Sequence, residues 1–177
     1  MTNTLTTTRV TGQPNAGTYR VDPTRSIIAF TTRHRFGTGG VAGSFGLQAA
    51  EIRVEEPLAG STVDATATAG SFTTENAKRD KHVHSAAFLD VAEHPVISFH
   101  GDRLTEVDGS WVLSGQLSVR GQTAPLELHI AEVHVAGSTL TVRATGRVDR
   151  YAHGITKMKG MAGRYLDLDI TALADRA

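Results

Sequence analysis

The feature that most constrains this chain is the alternation of apolar and polar residues along many short segments. In WVLSGQLSV, Trp111, Leu113 and Leu117 hold one parity, and serine and glutamine occupy most of the other. Successive side chains of a β-strand point to opposite faces, so a period of two predicts a strand with one buried face. The pattern recurs at 41–47, 139–148 and 165–172. It favours an antiparallel sheet with water on one side.

Turn residues separate the predicted strands. Glycine interrupts VDGSW (107–111) and VAGST (135–139), where a hairpin turn requires positive φ. The apolar parity of PLELHIAEVHV slips between Ile130 and Val133, and a β-bulge there would restore the buried face and help the sheet curl. We therefore predict an all-β, mainly antiparallel fold. We expect a closed or nearly closed barrel of about eight strands, whose interior can hold side chains or one small ligand.

One segment, near residues 74–90, breaks the period of two. Thr73 and Thr74 are suited to cap a helix N-terminus, and Glu75 follows in what would be the first turn. The residues after them, NAKRDKHVH, lack β-branched alternation. The pattern predicts a short helical insertion near residues 74–90.

Composition excludes several classes of function. The chain has no cysteine, which rules out disulfides and thiolate metal sites. Lys+Arg and Asp+Glu are equal at 18 each, so no global field attracts nucleic acid. No apolar run reaches the ~20 residues of a transmembrane helix. Residues 1–17 are polar and lack the pattern of a secretory signal. We expect a mobile leader there, a single domain over 18–177 and a cytoplasmic location.

The histidines raise a metal-binding alternative. His82 and His84 are two residues apart and His94 follows. On a strand, this spacing would place two imidazoles on one face, whereas on a helix they would lie roughly 200° apart. The helical interpretation therefore predicts no metal ligands, and in the absence of a G-x-S-x-G or H-E-x-x-H motif we predict no catalytic residues. A metal-dependent enzyme that uses these three histidines is the alternative. The paired carboxylates Asp167 and Asp169 alternate with leucine and isoleucine, which predicts that they face water.

Two further segments bear on ligand binding. Small side chains at Val63, Ala65, Ala67 and Ala69 share one face of a predicted strand and would leave an apolar void suited to an alkyl or isoprenoid chain. Larger side chains opposite could equally fill it, because interiors pack densely. The segment ITKMKGMAGR (155–164) combines methionines, which suit an adaptable apolar contact, with lysines, which could meet an anionic head group. An ordinary surface loop is the alternative.

Several motifs resemble one known family. YRVDPTRSIIAFTTRH, VAGSFG, GSFTTENAKRDKHVHSAAFLDVAEHPVISF, SGQLSVRGQTAPLELHI and GRVDRYAHGI follow one another from about residue 18 to the end. In this order they resemble the YceI-like, polyisoprenoid-binding family. The resemblance implies a lipocalin-like barrel with an elongated apolar pocket for a polyisoprenoid, an isoprenoid quinone or a similar long-chain amphiphile. The function it implies is non-enzymatic lipid binding, sequestration or transport, with no cofactor other than the lipid.

The resemblance also directs attention to particular residues and partners. Family members are often exported and often dimeric, so the resemblance implies a homodimer and transient contact with a membrane. The polar leader instead favours an intracellular carrier. Arg79 and Asp80 are expected to fix the helix against the barrel, with Asp80 accepting hydrogen bonds from backbone or from an arginine such as Arg120. The residues predicted to line the pocket are Phe30, Phe45, Phe72, Phe88, Phe99, Trp111, Leu113, Leu117, Leu126 and Leu128.

Overall fold

The structure is a computed structural model that describes residues 6–34 and 39–177. It contains ten strands and one helix. The strands are β1 (Arg9–Thr11), β2 (Gly17–Val21), β3 (Ile27–His34), β4 (Gly39–Val54), β5 (Thr62–Thr73), β6 (Val96–Val107), β7 (Ser110–Val119), β8 (Gln122–Ala136), β9 (Thr139–Asp149) and β10 (Tyr165–Arg176). The helix α1 spans Ala77–His84. Single 3₁₀ turns lie at Leu58–Gly60 and Arg150–His153.

The sheet closes on itself as a barrel. From β4 to β10 each strand pairs antiparallel with the next. β10 then pairs with both β2 and β3, and each of these pairs with β4. Because β2 and β3 share one position in the ring, the barrel has eight strand positions. The predicted lipocalin-like, mainly antiparallel barrel with a short helical insertion is confirmed.

Bulges set which residues face the interior. The pairing of β8 with β9 shifts register between Ile130 and Glu132, which confirms the predicted bulge. Two further shifts interrupt the pairing of β4 with β5, between Ser44 and Gly46 and between Leu47 and Ala49. Each extra residue reverses the parity of a strand, so the inward face can pass from odd to even positions.

The first described residues are part of the barrel wall. β1 runs parallel to β8, where Val10 pairs with Val133, beyond the point at which β7 begins. Thr8 is buried, and its hydroxyl donates to the carbonyl oxygen of Ile130 at 2.6 Å and accepts from the backbone N–H of Trp111 at 2.8 Å. This part of the expected mobile leader is therefore a strand. A short polar segment can be ordered in this way because an open strand edge supplies its hydrogen bonds.

The N-cap of α1 differs from the sequence prediction. Asn76 caps the helix, and its side-chain oxygen accepts from the backbone N–H of Arg79 at 3.0 Å. Thr73 and Thr74 do not cap it, because both hydroxyls donate instead to the carboxylate of Asp80. The segment after the helix continues through turns up to His94 and leads into β6.

Two apolar clusters fill different parts of the barrel. The larger packs aromatic and branched residues from most strands against the residues that follow α1, among them Phe88 and Leu89. The smaller joins Tyr19, Leu140 and Ala174 at the end where β2 and β9 begin and β10 ends. We call this the closed end. The opposite end, where β5 leads into α1 and β9 leads into the 3₁₀ turn, we call the mouth.

Candidate functional site

An apolar cavity of about 470 Å³ occupies the barrel. Its lining comes from β2 to β10, from α1 and from the segment that joins β9 to β10, and it is almost entirely hydrocarbon. Cavities that bind small molecules typically measure about 300–1,000 Å³ and are mostly apolar. The interior is therefore able to accept an apolar ligand, and the side chains opposite the row of small residues do not fill it.

The cavity brings together eight of the ten residues predicted to line it. These eight are Phe30, Phe45, Phe72, Phe88, Phe99, Leu117, Leu126 and Leu128. Leu113 and Trp111 are not among the lining residues in the described part of the chain: Leu113 is buried in the core, and Trp111 packs against that core. Both share the inward parity of β7 but lie nearer the closed end, where the barrel is filled. Contact of any of these residues with a lipid stays a prediction.

The wall of the cavity contrasts small residues with aromatic ones. Val63, Ala65 and Ala67 of β5 line it, as the row of small side chains predicted. Three rings pack together beside them, with centroids 5.3 Å apart for Phe30 and Phe72, 5.4 Å for Phe45 and Phe72 and 5.6 Å for Phe30 and Phe45. The small residues leave the volume open, and the packed rings give that volume a stiff border.

Arg150 holds the mouth together, a role that the sequence analysis missed. It lies in the 3₁₀ turn after β9 and is 7% exposed. Its guanidinium donates to the carbonyl oxygens of Ile155, Lys157 and Gly163 at 2.8 Å each and of Ala162 at 3.3 Å. Burial lowers the pKa of this guanidinium, and carbonyl dipoles replace the water that it loses. One buried charge therefore fixes the chain reversal between β9 and β10.

Asp80, a residue of α1, attaches the helix to the barrel through hydrogen bonds. Its carboxylate accepts from the Thr73 hydroxyl at 2.9 Å and from the backbone N–H and hydroxyl of Thr74 at 2.9 and 2.6 Å. Burial opposes ionisation, but these hydrogen bonds outweigh it and hold the pKa of Asp80 below its usual value. Arg79 supports the same corner, because its Nε donates to the Thr74 hydroxyl at 2.8 Å. Both residues thus tie the helix to the end of β5.

Of the two partners proposed for Asp80, the backbone is the one observed. Arg120, the proposed arginine partner, instead donates from Nη2 to the carbonyl oxygen of Ala86 at 2.8 Å. It therefore holds the turn after α1 rather than the helix itself. The sequence could not distinguish these partners, because Arg120 is 40 positions away from Asp80 in the chain and its contact depends on how the barrel folds.

Exposed lining residues gather at the mouth. Arg79 and His82 of α1 line the cavity and are exposed. Met158 and Met161 line it from the opposite segment and are 37% and 53% exposed. The methionine-rich character of this segment was visible in the sequence, but its position over the cavity follows only from the closure of the barrel. A further exposed lining residue, Ile27, lies at the start of β3.

His82, His84 and His94 each lie in a different local environment. His84 Nε2 lies 2.9 Å from the carbonyl oxygen of Phe72, and the ring of His82 packs edge-on against Phe88 with centroids 5.0 Å apart. His94 lies beside Gly121. Within residues 6–34 and 39–177, no three histidine, aspartate or glutamate side chains converge to hold a metal ion. Nothing in this arrangement favours the metal-dependent alternative.

The paired carboxylates lie outside the barrel. Asp167 binds Arg147 and Asp169 binds Arg143, each at 2.7 Å between nitrogen and oxygen, and all four side chains are exposed. The prediction that both aspartates face water is confirmed. Within the described chain, no helix is long and apolar enough to cross a membrane.

Comparison with known proteins agrees with this geometry. A model of the YceI-like domain matches residues 19–174. A UPF0312 protein of Enterobacter sp. (strain 638) is 27% identical over 169 residues, which cover 91% of this chain and 88% of the relative. A UPF0312 protein of Pectobacterium carotovorum is 30% identical over 120 residues, 66% of this chain and 62% of the relative.

Solved structures share the fold at low identity. The crystal structure of Burkholderia cenocepacia BcnA superposes with a TM-score of 0.78 at 16% identity and covers 86% of this chain and 98% of its own. A polyisoprenoid binding domain from Saccharophagus degradans superposes with a TM-score of 0.69 at 11% identity, over 92% of this chain and 100% of its own. At such identities the likeness establishes a common barrel.

Proposed function

The chain belongs to the YceI-like domain family, and from that membership we propose that it binds a long-chain amphiphilic lipid inside the barrel, as a non-enzymatic carrier or sequestering protein. The ligand class that we propose is a polyisoprenoid or an isoprenoid quinone. The name of the Saccharophagus degradans neighbour, a polyisoprenoid binding domain, supports this class. The observation that carries the proposal is the apolar cavity that ends at an exposed mouth.

The energetics favour a chain-like apolar ligand. Each CH₂ group moved from water into an apolar site contributes about 0.8 kcal/mol, so a few isoprene units suffice for tight binding. An extended chain would lie along β5, past Ala65 and Ala67, where the wall carries little side-chain volume. Its polar head would remain at the mouth, where the polar and charged lining residues Arg79 and His82 are exposed.

A binding role also suits the titratable groups of the lining. Arg150 is fully engaged with backbone carbonyls, and His153 Nδ1 lies 2.9 Å from the carbonyl oxygen of Gln122. His82 packs against the ring of Phe88. These three groups serve the structure of the mouth, and among the described residues none of the three is hydrogen-bonded to a hydroxyl group that could act as a nucleophile.

The first test fills the cavity from within. Ala67→Phe places a ring into the space that the ligand would occupy, so we expect binding of decylubiquinone to weaken by at least about tenfold, the effect of ~1.4 kcal/mol. Thr68→Phe is the matched control, because Thr68 is exposed on the outer face of the same strand. Binding is measured by titration, and lipid extracted from purified wild type is identified by mass spectrometry. If the wild type yields no lipid and binds no quinone, the proposal is wrong.

A further inference from the structure

The lysines of this chain are concentrated at one place in the fold. The sequence contains four, at positions 78, 81, 157 and 159. Two lie in α1 and two in the segment between β9 and β10, so all four border the mouth. Among the described residues, none forms an ion pair with a carboxylate, whereas the outer-wall arginines Arg143 and Arg147 are both paired. The four lysines therefore place positive charge without a paired carboxylate at the mouth, whereas the rest of the chain holds more carboxylates than arginines.

The segment from Ile155 to Arg164, which we call the rim loop, combines this charge with apolar tips. It carries three cationic residues and no carboxylate. Arg164 is bound to Asp149 at 2.9 Å, which leaves Lys157 and Lys159 as its uncompensated charges. Met158 and Met161, which alternate with the lysines, are both exposed and both line the cavity.

The backbone of the rim loop is held from below. Four of its carbonyl oxygens accept from Arg150, so the inner side of the loop is occupied by the guanidinium. Lys157 and Lys159 are exposed on its outer side, where the Lys159 ammonium lies 5.2 Å from the ring centroid of Tyr151. The loop thus presents cations and flexible apolar side chains together from a fixed base.

We infer that the rim loop is the surface on which the barrel docks to an anionic membrane. Met158 and Met161 would enter the boundary between head groups and acyl chains, and Lys157 and Lys159 would contact lipid phosphates. The inference rests on the proposed function, since a long-chain lipid resides in a bilayer and the docked mouth opens the cavity towards it. Ile27, an exposed apolar lining residue outside the rim loop, lacks this chemistry, because nearby Arg25 is paired with Asp22 and Asp175.

Vesicle flotation tests the inference with the full chain. Wild type is expected to bind vesicles of phosphatidylcholine mixed with phosphatidylglycerol, and to bind pure phosphatidylcholine vesicles weakly. The double variant Lys157→Glu/Lys159→Glu should bind the mixed vesicles roughly 25-fold more weakly or worse, since each lysine near an anionic surface is worth about fivefold in affinity. The matched control is Arg9→Glu/Arg103→Glu, which changes net charge equally on exposed residues of β1 and β6 away from the mouth.

Two further measurements separate docking from ligand binding. Neither Lys157 nor Lys159 lines the cavity, so the double lysine variant should bind decylubiquinone in vesicle-free solution as the wild type does. Met158→Ser/Met161→Ser should weaken vesicle binding while leaving its dependence on phosphatidylglycerol in place. Equal vesicle binding by wild type and the lysine variant, or equal loss in the arginine control, would overturn the docking surface. That result would leave the pocket intact, whereas absent quinone binding by the wild type would refute the pocket itself.

Discussion

The two ends of the barrel are stabilised by different interactions. At the closed end, Tyr19 and Leu140 are each 2% exposed and Ala174 is fully buried, and the packing there is side chain against side chain. At the mouth, Arg150 and Asp80 tie irregular backbone to the barrel through hydrogen bonds. Regular strands satisfy their own backbone groups, so an end built from strands can be apolar. A chain reversal leaves backbone carbonyls and N–H groups that need other partners.

This difference predicts different behaviour. Apolar packing at the closed end is insensitive to pH and is lost only when the whole barrel unfolds. The mouth carries a solvent-exposed loop held by hydrogen bonds to Arg150, and exposed loops are among the segments that open locally below the free energy of global unfolding. The end that is weaker in this sense is also the end through which a ligand would pass.

The largest effect should follow a cavity at the closed end. Leu140→Ala removes a buried side chain and should lower the free energy of unfolding by about 3 kcal/mol, measured by urea denaturation. Binding of decylubiquinone to the folded variant should stay unchanged, because Leu140 does not line the cavity. Val107→Ala is the control, since Val107 is 58% exposed at the same end and should cost less than about 0.5 kcal/mol. A comparable loss in both variants would refute the contrast.

Arg150→Met should have the next largest effect. The variant keeps an unbranched apolar stem but leaves four carbonyl oxygens without their donor, and we expect a loss of about 2 kcal/mol, since water can reach part of the loop. Hydrogen exchange should accelerate in the rim loop before it changes in β5 or β9. Arg143→Met is the control, because its ion pair is exposed and worth at most about 1 kcal/mol. Unchanged exchange in the rim loop would show that Arg150 does not hold it.

Asp80→Ala should have the smallest effect and the one that depends on pH. We expect a loss of about 1 kcal/mol at neutral pH, from the hydrogen bonds of Thr73 and Thr74. The folded pKa of Asp80 is depressed, so its contribution is present above the unfolded pKa of about 3.9 and is lost as pH falls through the folded pKa. Stability curves of wild type and variant should therefore converge in acid, while quinone affinity stays equal.

A control and a contrary result complete this test. Asp167→Ala removes an exposed carboxylate on the outer wall and should cost about 0.5 kcal/mol or less. If Asp80→Ala weakened quinone binding and left stability unchanged, Asp80 would belong to the ligand site rather than to the attachment of α1.

Local patterns predicted much of this architecture. The period of two identified the strands and their inward faces, and a slip in that period located the bulge after Ile130. These inferences succeed because alternation is a property of neighbouring residues along one strand. The predicted N-cap of α1 was wrong because the hydroxyls of Thr73 and Thr74 bind Asp80. This contact depends on how α1 folds back over the end of β5. Asn76 is at least as suitable an N-cap residue as threonine, and the sequence alone does not show which of these residues caps the helix.

Part of the candidate site was likewise predictable from local patterns, and part was not. Parity along a strand assigned Leu117 and Leu113 alike to the interior, yet Leu117 borders the cavity and Leu113 lies in filled core. Whether an inward-facing residue borders the cavity or lies in filled core depends on the side-chain volumes of the strands opposite it. Those strands are distant in sequence. Arg150 follows the same logic, since a lone arginine after a strand carries no local sign that four carbonyls from the next loop will surround it.

Sequence information alone therefore established the strand periodicity and the apolar character of the inward faces, because both depend on residues adjacent along the chain. The barrel itself was predicted from the number of strands and from the family resemblance. Closure of the barrel decided where that interior is empty and which loop borders it. It also gathered the four lysines at the mouth, although positions 81 and 157 are far apart in the chain. The packing density, the burial and the charge at one point of the molecule depend on side chains from several strands. These side chains come together only when the strands are paired.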